Sequence, residues 1–210
     1  FSYDDKFLNN FKKNISDDKR KHYEFNNITL SNRNKTFAGQ FSIDIERLLN
    51  YEYKKNISHI SFSNESGRKF LKPNTITINT NGSAGQSYGA FCNDGMTLKH
   101  KGTCNDGVGK SACGGEIIIT SPNRKTPSLI ENVLIGNFCL FGATGGRLFV
   151  EGQAGDRFAV RNSGATAVVE GVGDYCAEYM TNGTILNLGS FSRGYGNGMS
   201  GGFIYQYDPY

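Results

Sequence analysis

The sequence predicts a mainly β protein: a single-stranded, right-handed parallel β-helix preceded by an N-terminal helix and loop segment. Three observations carry this expectation. Composition changes sharply near residue 74, glycines recur beyond it at intervals of 18 to 20 residues, and short β-branched runs separate the glycine clusters.

Residues 1–74 are the first expected unit. They are rich in Lys, Asn and Asp and nearly free of Gly. Phe41, Ile45, Leu48 and Leu49 fall at helical spacing, with Ser42 as a cap before Asp44 and Glu46 in the first turn. From Asn50 to Pro73 the Lys, Asn and Ser content predicts an exposed connection or local insertion.

Residues 75–210 are the expected β-helix. The repeat places Gly at position zero, turn residues three and seven later, and Gly at position twelve, before a hydrophobic strand. Gly82, Gly85 and Gly89 open the first copy, before MTLK. Gly102, Asn105 and Gly109, with Gly114, form the second, before EIII. The stretch from Ser121 to Gly146, with Pro122, Pro127 and VLIGN, reads as a loop and then a shorter rung on Gly136, Cys139, Gly142 and Gly145. The pattern returns with Gly152, Gly155 and Gly164, then Gly171, Asp174 and Gly183, then Gly189, Gly196 and Gly201.

Each unit is too short for a helix, and its corners call for positive φ, where a Cβ costs roughly 1–2 kcal/mol. Glycine fills such corners, and Asn105 and Asp174 are the residue types that best tolerate the left-handed region. Ile117, Ile119, Val168, Ile185, Leu186 and Leu188 are expected to stack between rungs at ~4.8 Å. No rung buries that face alone, so the rungs stabilise one another.

Charge and composition exclude several functions. The net charge is +4, yet residues 1–72 hold 14 Lys/Arg against 9 Asp/Glu and the remainder holds 9 against 10, with no basic, aromatic-interleaved patch for nucleic acid. No stretch approaches the ~20 apolar residues of a membrane span. Five cysteines, Cys92, Cys104, Cys113, Cys139 and Cys176, are odd in number and form no CxxC, so they read as small buried hydrophobes in a reducing compartment. Asn14, Asn27, Asn56 and Asn182 lie in sequons of the kind an Asn-rich chain produces by chance. An intracellular location, cytoplasmic or plastid, is expected. Phe1 in place of Met suggests a processed product or a fragment.

Chemical motifs do not survive their context. Gly196, Gly198 and Gly201 match GxGxxG, but FIYQY follows where a nucleotide site needs a helix N-terminus. CNDGVGKS (104–111) approaches a P-loop, with Cys104 in place of the first Gly and EIII after it. Gly198, Ser200 and Gly202 match GxSxG without its strand-to-helix elbow. His22, His59 and His100 share no ligand spacing. Asp94, Asp106, Asp156 and Asp174 recur beside Gly, but GGxGxD is absent and Asx-type turn bonds account for them better than calcium. Arg157, Arg161, Glu170 and Glu178 are charges inside rungs of small or apolar residues. They are outward-facing strand positions or inter-rung ion pairs, or else a docking surface for another domain.

GSAGQSYGAF (82–91), NDGVGK (105–110), GNFCLFGATGG (136–146), AGDRFAVRNSGATAVVEGVGDYCAEYMTNG (154–183) and GMSGG (198–202) closely resemble the C-terminal Gly-repeat (GXGXG) domain of glutamate synthase large subunits. LSNRNKTFAGQFSIDIERLL (30–49) is similar to the family's lead-in segment, with Lys35 in place of an expected Arg and a glycine displaced to Gly39. The resemblance implies a structural domain without catalytic, cofactor or metal residues of its own. Its implied partners are an amidotransferase domain with a Cys nucleophile and a synthase domain with FMN and an iron–sulfur cluster, together with a small reductase subunit or domain. Two alternatives stay open: the similar subunit of formylmethanofuran dehydrogenases, and a carbohydrate-acting β-helix protein.

Overall fold

The structure is a computed structural model and describes residues 2–16, 20–52, 59–62, 65–122 and 133–209. The expected loop at Pro127 and the sequon at Asn56 lie outside the described residues. Helix α1 (Tyr3–Asn14) opens the chain and is capped by Ser2 in a capping box with Asp5. Then come β1 (Tyr23–Leu30), α2 (Gly39–Arg47) with a π-type turn at Leu48–Glu52, and an antiparallel hairpin of β2 (Ile60–Phe62) and β3 (Lys69–Leu71).

The solenoid strands are β4 (Ile76–Ala84), β5 (Met96–Cys104), β6 (Cys113–Thr120), β7 (Val133–Ile135), β8 (Gly145–Val150), β9 (Gln153–Ala154), β10 (Ser163–Val169), β11 (Asn182–Asn187) and β12 (Phe203–Gln206). They stack as one parallel ladder in the order β1-β4-β5-β6-β8-β10-β11-β12, with β7 and β9 on a side branch. This is the parallel β-helix the glycine repeat predicts. Register holds Ile78, Leu98, Ile117, Leu148, Ala167, Ile185 and Ile204 in one column, all but the last buried.

Period-two alternation corrects the expected stack. Ile117, Ile119 and Ile185 are buried, whereas Val168 and Leu186 are half-buried on the outer sheet face and Leu188 is exposed. The N-terminal unit also contributes a strand, since β1 pairs in parallel with β4. Its alternation breaks at a register shift between Phe25 and Ile28, where Asn27 takes φ 60.

Opposite conformational hands alternate in the turns. Six-residue arcs begin at Gln86, Asp106, Asn137, Asp156, Asp174 and Arg193, and the second, fourth and sixth residue of each has positive φ. The expected corners Gly89, Gly109 and Gly196 occupy such positions, while Gly82, Gly102, Gly171 and Gly183 have positive φ elsewhere in the rung. Asn105 and Asp174 are not left-handed, and neither are Gly85, Gly152, Gly155, Gly164, Gly189 and Gly201. Tyr175, Arg157, Arg161 and Tyr179 carry the left-handed φ instead, between 56 and 58°.

Backbone bonds hold that conformation. Arg157 N–H donates to Asp174 O at 2.7 Å and Arg161 N–H to Glu178 O at 2.9 Å, both in the next rung, while Ala159 N–H donates back to Cys139 O at 2.8 Å. An internal arc is thus stitched in both directions.

The ladder's first end is closed by the helices. Thr36 and Ala38, at φ 52 and 63, begin an arc, and Thr36 N–H donates to Gln86 O at 2.7 Å before the chain turns into α2. Phe37 stacks on Tyr88 with ring centres 5.5 Å apart. The expected cap Ser42 lies inside the helix, its hydroxyl donating to Ala38 O at 2.7 Å. Asp4 of α1 supplies the cap, accepting from Ala38 N–H at 3.0 Å and Phe41 N–H at 2.9 Å. Burial pushes its carboxyl above the ordinary value against those bonds.

Candidate docking surface

The second and sixth residues of the arcs from Asn137 to Asp174 lie toward the surface while the fourth, Leu140, Ala159 and Ala177, are buried, and of the charged residues singled out in the sequence Arg157 and Arg161 take the second and sixth positions of one arc. Arg157 lies between two rings, 6.0 Å from the centre of Phe138 and 5.2 Å from Tyr175, and Arg193 covers Tyr175 at 5.8 Å. Arg157 pairs with Glu178 at 3.8 Å, and Arg193 with Asp174 at 3.1 Å. Arg161 lines a shallow, open depression with Tyr179 and Thr181. Glu170 sits apart, after β10, fixed by its N–H to Gly152 O at 2.9 Å. The structure therefore brings Arg157 and Glu178 together, places Arg161 in a neighbouring rung position, and leaves Glu170 off the arcs.

The aspartates form a second column, by the Asx bonding anticipated but running between rungs. Asp106 Oδ1 accepts from Asn137 N–H at 2.7 Å, Asn137 Oδ1 from Asp156 N–H, and Asp156 Oδ1 from Asp174 N–H, both at 2.8 Å. Gly136, Gly155 and Gly173 precede these residues because a Cβ there would run into the carboxyl or amide oxygen of the rung before. Asp174 is held below the usual carboxylate range by the Ser192 hydroxyl first and by Arg193. Asp94 belongs to another cluster: Arg68 reaches Glu46 at 2.7 and 2.8 Å, Asp94 at 3.0 Å and Asn93 at 2.7 Å, tying hairpin, helix and first rung together. Nothing in the local sequence of Arg68 or Asp4 marks these roles, since their partners lie more than twenty residues away.

Geometry also disposes of the chemical motifs. In the P-loop-like run, Gly107, Gly109 and Ser111 N–H groups donate to Asn137, Tyr88 and Phe141 carbonyls, so no cradle faces a phosphate. Ser200 N–H bonds Met180 O in the run toward β12. His100 is buried, its Nε2 facing the Gly82 and Thr103 carbonyls at 3.0 and 2.9 Å and its Nδ1 accepting from Thr80 Oγ1 at 2.7 Å. The cysteines do not fit an iron–sulfur cluster. Burial pushes the thiols of Cys92, Cys139 and Cys176 up to about 12, and among the described residues no group of three His, Cys, Asp or Glu is placed to share a metal ion. Nor is any described helix long and apolar enough to cross a membrane.

Sequence reasoning missed the outer face of the sheet. Ile118, Phe149, Val168, Leu186 and Tyr205 stand in register across five strands, half-buried until Tyr205, which is 56% exposed. Phe203, Tyr207, Leu188 and Phe191 widen the exposed apolar area near the last rung. The strict alternation within EIII, RLFV, TAVV and TILNL is the signal that could have separated this face from the core.

The GXGXG motif family matches residues 4–210. Glutamate synthase [NADH] of Schizosaccharomyces pombe is 53% identical over 146 residues, 70% of this chain and 7% of its own length. Ferredoxin-dependent glutamate synthase 2 of Synechocystis is 55% identical over 133 residues, 63% of this chain and 8% of its own. The glutamate synthase [NADPH] large chain of Bacillus subtilis is 46% identical over 149 residues, 71% and 10% respectively. The chain spans a tenth or less of the length of these curated relatives.

Proposed function

The chain belongs to the GXGXG motif family, and from that membership we propose that it is the β-helical portion of a glutamate synthase large subunit, a scaffold with no catalytic residue of its own. In the longer enzyme, glutamine, 2-oxoglutarate and a reductant give two glutamates. An amidotransferase domain releases ammonia and a synthase domain consumes it, and the FMN and iron–sulfur cluster of the synthase reaction are held outside this chain. Relatives named for NADH, NADPH and ferredoxin match it at 53, 46 and 55% identity, which supports a part indifferent to the electron donor.

The observation that carries the reading is the unbroken ladder from β1 to β12 with arcs bonded in both directions. Seven spacings of ~4.8 Å make a strut of about 34 Å. Backbone bonds tie each rung to the next, so it bends little. Such a strut holds two active sites at a fixed separation and keeps ammonia from escaping between them. A carbohydrate-acting β-helix needs charged side chains stacked across rungs and open to substrate, whereas in the stack of Asp106, Asp156 and Asp174 the Oδ1 atoms accept from the next rung or from Ser192, and the central outer column is apolar: Ile118, Phe149, Val168, Leu186 and Tyr205.

The test excises one rung from the full-length enzyme. Removing residues 156–173 joins Gly155 to Asp174 and preserves the glycine–aspartate register. The expected result is a folded enzyme in which glutamine hydrolysis outruns glutamate formation. A stoichiometry unchanged from the wild type refutes the scaffold role.

A further inference from the structure

We infer that the outer apolar column of the sheet, and not the arginine-bearing arcs, is the face on which the rest of the same longer polypeptide docks; the inference rests on the function proposed above. The column runs Ile118, Phe149, Val168, Leu186, Tyr205 through strands β6, β8, β10, β11 and β12. Four strand spacings make it about 19 Å long, the length of a helix of about 13 residues. Threonines 166 and 184 flank it on one side, with Glu116 and Arg147 neutralising each other at 2.5 Å. Toward the first rungs the same column ends in Lys99, which is exposed, with Lys101 exposed two residues on.

Parallel sheets normally have both faces covered, and an apolar column half-buried from Ile118 to Leu186 and widening at Tyr205 into the exposed Phe203, Tyr207 and Leu188 marks an interaction site. The arcs differ: Arg157, Arg193, Glu178 and Asp174 already satisfy one another there. The occupant's chemistry follows from the column. It is a straight apolar ridge ending in acidic side chains that meet Lys99 and Lys101. Its source follows from length, because the relatives are ten or more times longer than the matched segment, and a tethered domain reaches the face at high effective concentration.

The experiment uses the full-length polypeptide, with maleimide labelling read site by site through peptide mass spectrometry. Tyr205→Cys reports on the face, Lys110→Cys on the exposed arc side, and the buried native Cys139 on the integrity of the β-helix. Tyr205→Cys is expected to react at least about tenfold more slowly than Lys110→Cys in the native protein and equally fast in guanidinium. Adding Val168→Glu is expected to raise its rate to that of Lys110→Cys while Cys139 stays protected. Labelling of Tyr205→Cys as fast as Lys110→Cys overturns the inference, as does protection that survives Val168→Glu. Protection that disappears on dilution as the particle halves in size assigns the face to a second copy and overturns it equally. Glutamate formation by the wild type is measured separately: its absence defeats the proposed function and leaves the labelling result standing.

Discussion

Replacing Gly102 by alanine tests whether backbone contact, and not conformational hand alone, fixes the glycines. Gly102 lies in β5 beside Gly82, at φ +142, and a Cβ there would overlap the Gly82 carbonyl oxygen and stand 3.0 Å from its carbon. The obstacle is main chain, so no rotamer relieves it, and the ladder must open locally. Backbone strain of roughly 1–3 kcal/mol and overpacking of roughly 1–3 kcal/mol together cost about 4 kcal/mol. Gly142→Ala is the matched control. It has positive φ, 64°, but the nearest atom to a Cβ is Ser111 Oγ at 3.9 Å, and Arg161 and Tyr179 carry side chains at the equivalent arc position. Its cost is about 1 kcal/mol. Urea denaturation followed by circular dichroism measures both, and the difference of about 3 kcal/mol corresponds to roughly 6–12 °C in Tm for a chain of this size. Two variants within about 1 kcal/mol of each other would refute the close-contact account.

Asp4→Ala strands the Ala38 and Phe41 N–H groups and should destabilise by about 2 kcal/mol, read by the same denaturation; a loss under about 0.5 kcal/mol contradicts the cap. Arg68→Met leaves Glu46, Asp94 and Asn93 without their shared donor, and since the cluster is about one-third exposed the expected loss is about 1–2 kcal/mol. Arg68 hydrogen bonding holds the Glu46 carboxyl below 4.5, so its contribution is present above that pH and lost as pH falls below it; in Arg68→Met that acid limb should flatten. Burial lowers the His100 pKa below 6.5, so the neutral ring favours folding above about 6.5 and Tm should fall from pH 7 toward 5; His100→Gln should lack that slope, and an identical slope counts against it.

What the sequence disclosed follows from what glycine does. Close approach and left-handed φ both demand it, so a repeat of glycines revealed the rungs although only some of those positions are left-handed. The hand of the remaining arc residues was hidden, because Arg157, Tyr175 and Tyr179 are held at positive φ by bonds to the next rung and not by their own preferences. Asp174 looked like a left-handed corner, yet it is the arc's first residue, and the hand changes one residue later at Tyr175. Strand β1 was hidden by its bulge at Asn27, and the caps by distance along the chain. Val168 and Leu186 were visible as apolar but were put on the wrong face, an error that a period of two makes easy.

The last arc shows how side chain and backbone hand are coupled. Gly194, Gly196 and Gly198 all lie at φ 70, the only described arc with glycine at every left-handed position. The reason lies one rung back. Tyr175 and Tyr179, left-handed themselves, lay their rings over Gly194 and Gly198, where a Cβ would meet ring carbons. The motif is therefore a footprint of the tyrosines before it. Gly196 N–H still bonds back to Cys176 O at 2.8 Å, while the Gly194 and Gly198 N–H groups, whose counterparts in earlier arcs bond forward, have no protein acceptor among the described residues. The helices close the first end of the ladder through Phe37 and Asp4, but this end offers two aligned donors beside the open edge of β12. A solenoid rung buries its face only against a neighbour, so the stiffness of this strut at β12 depends on what packs against those donors.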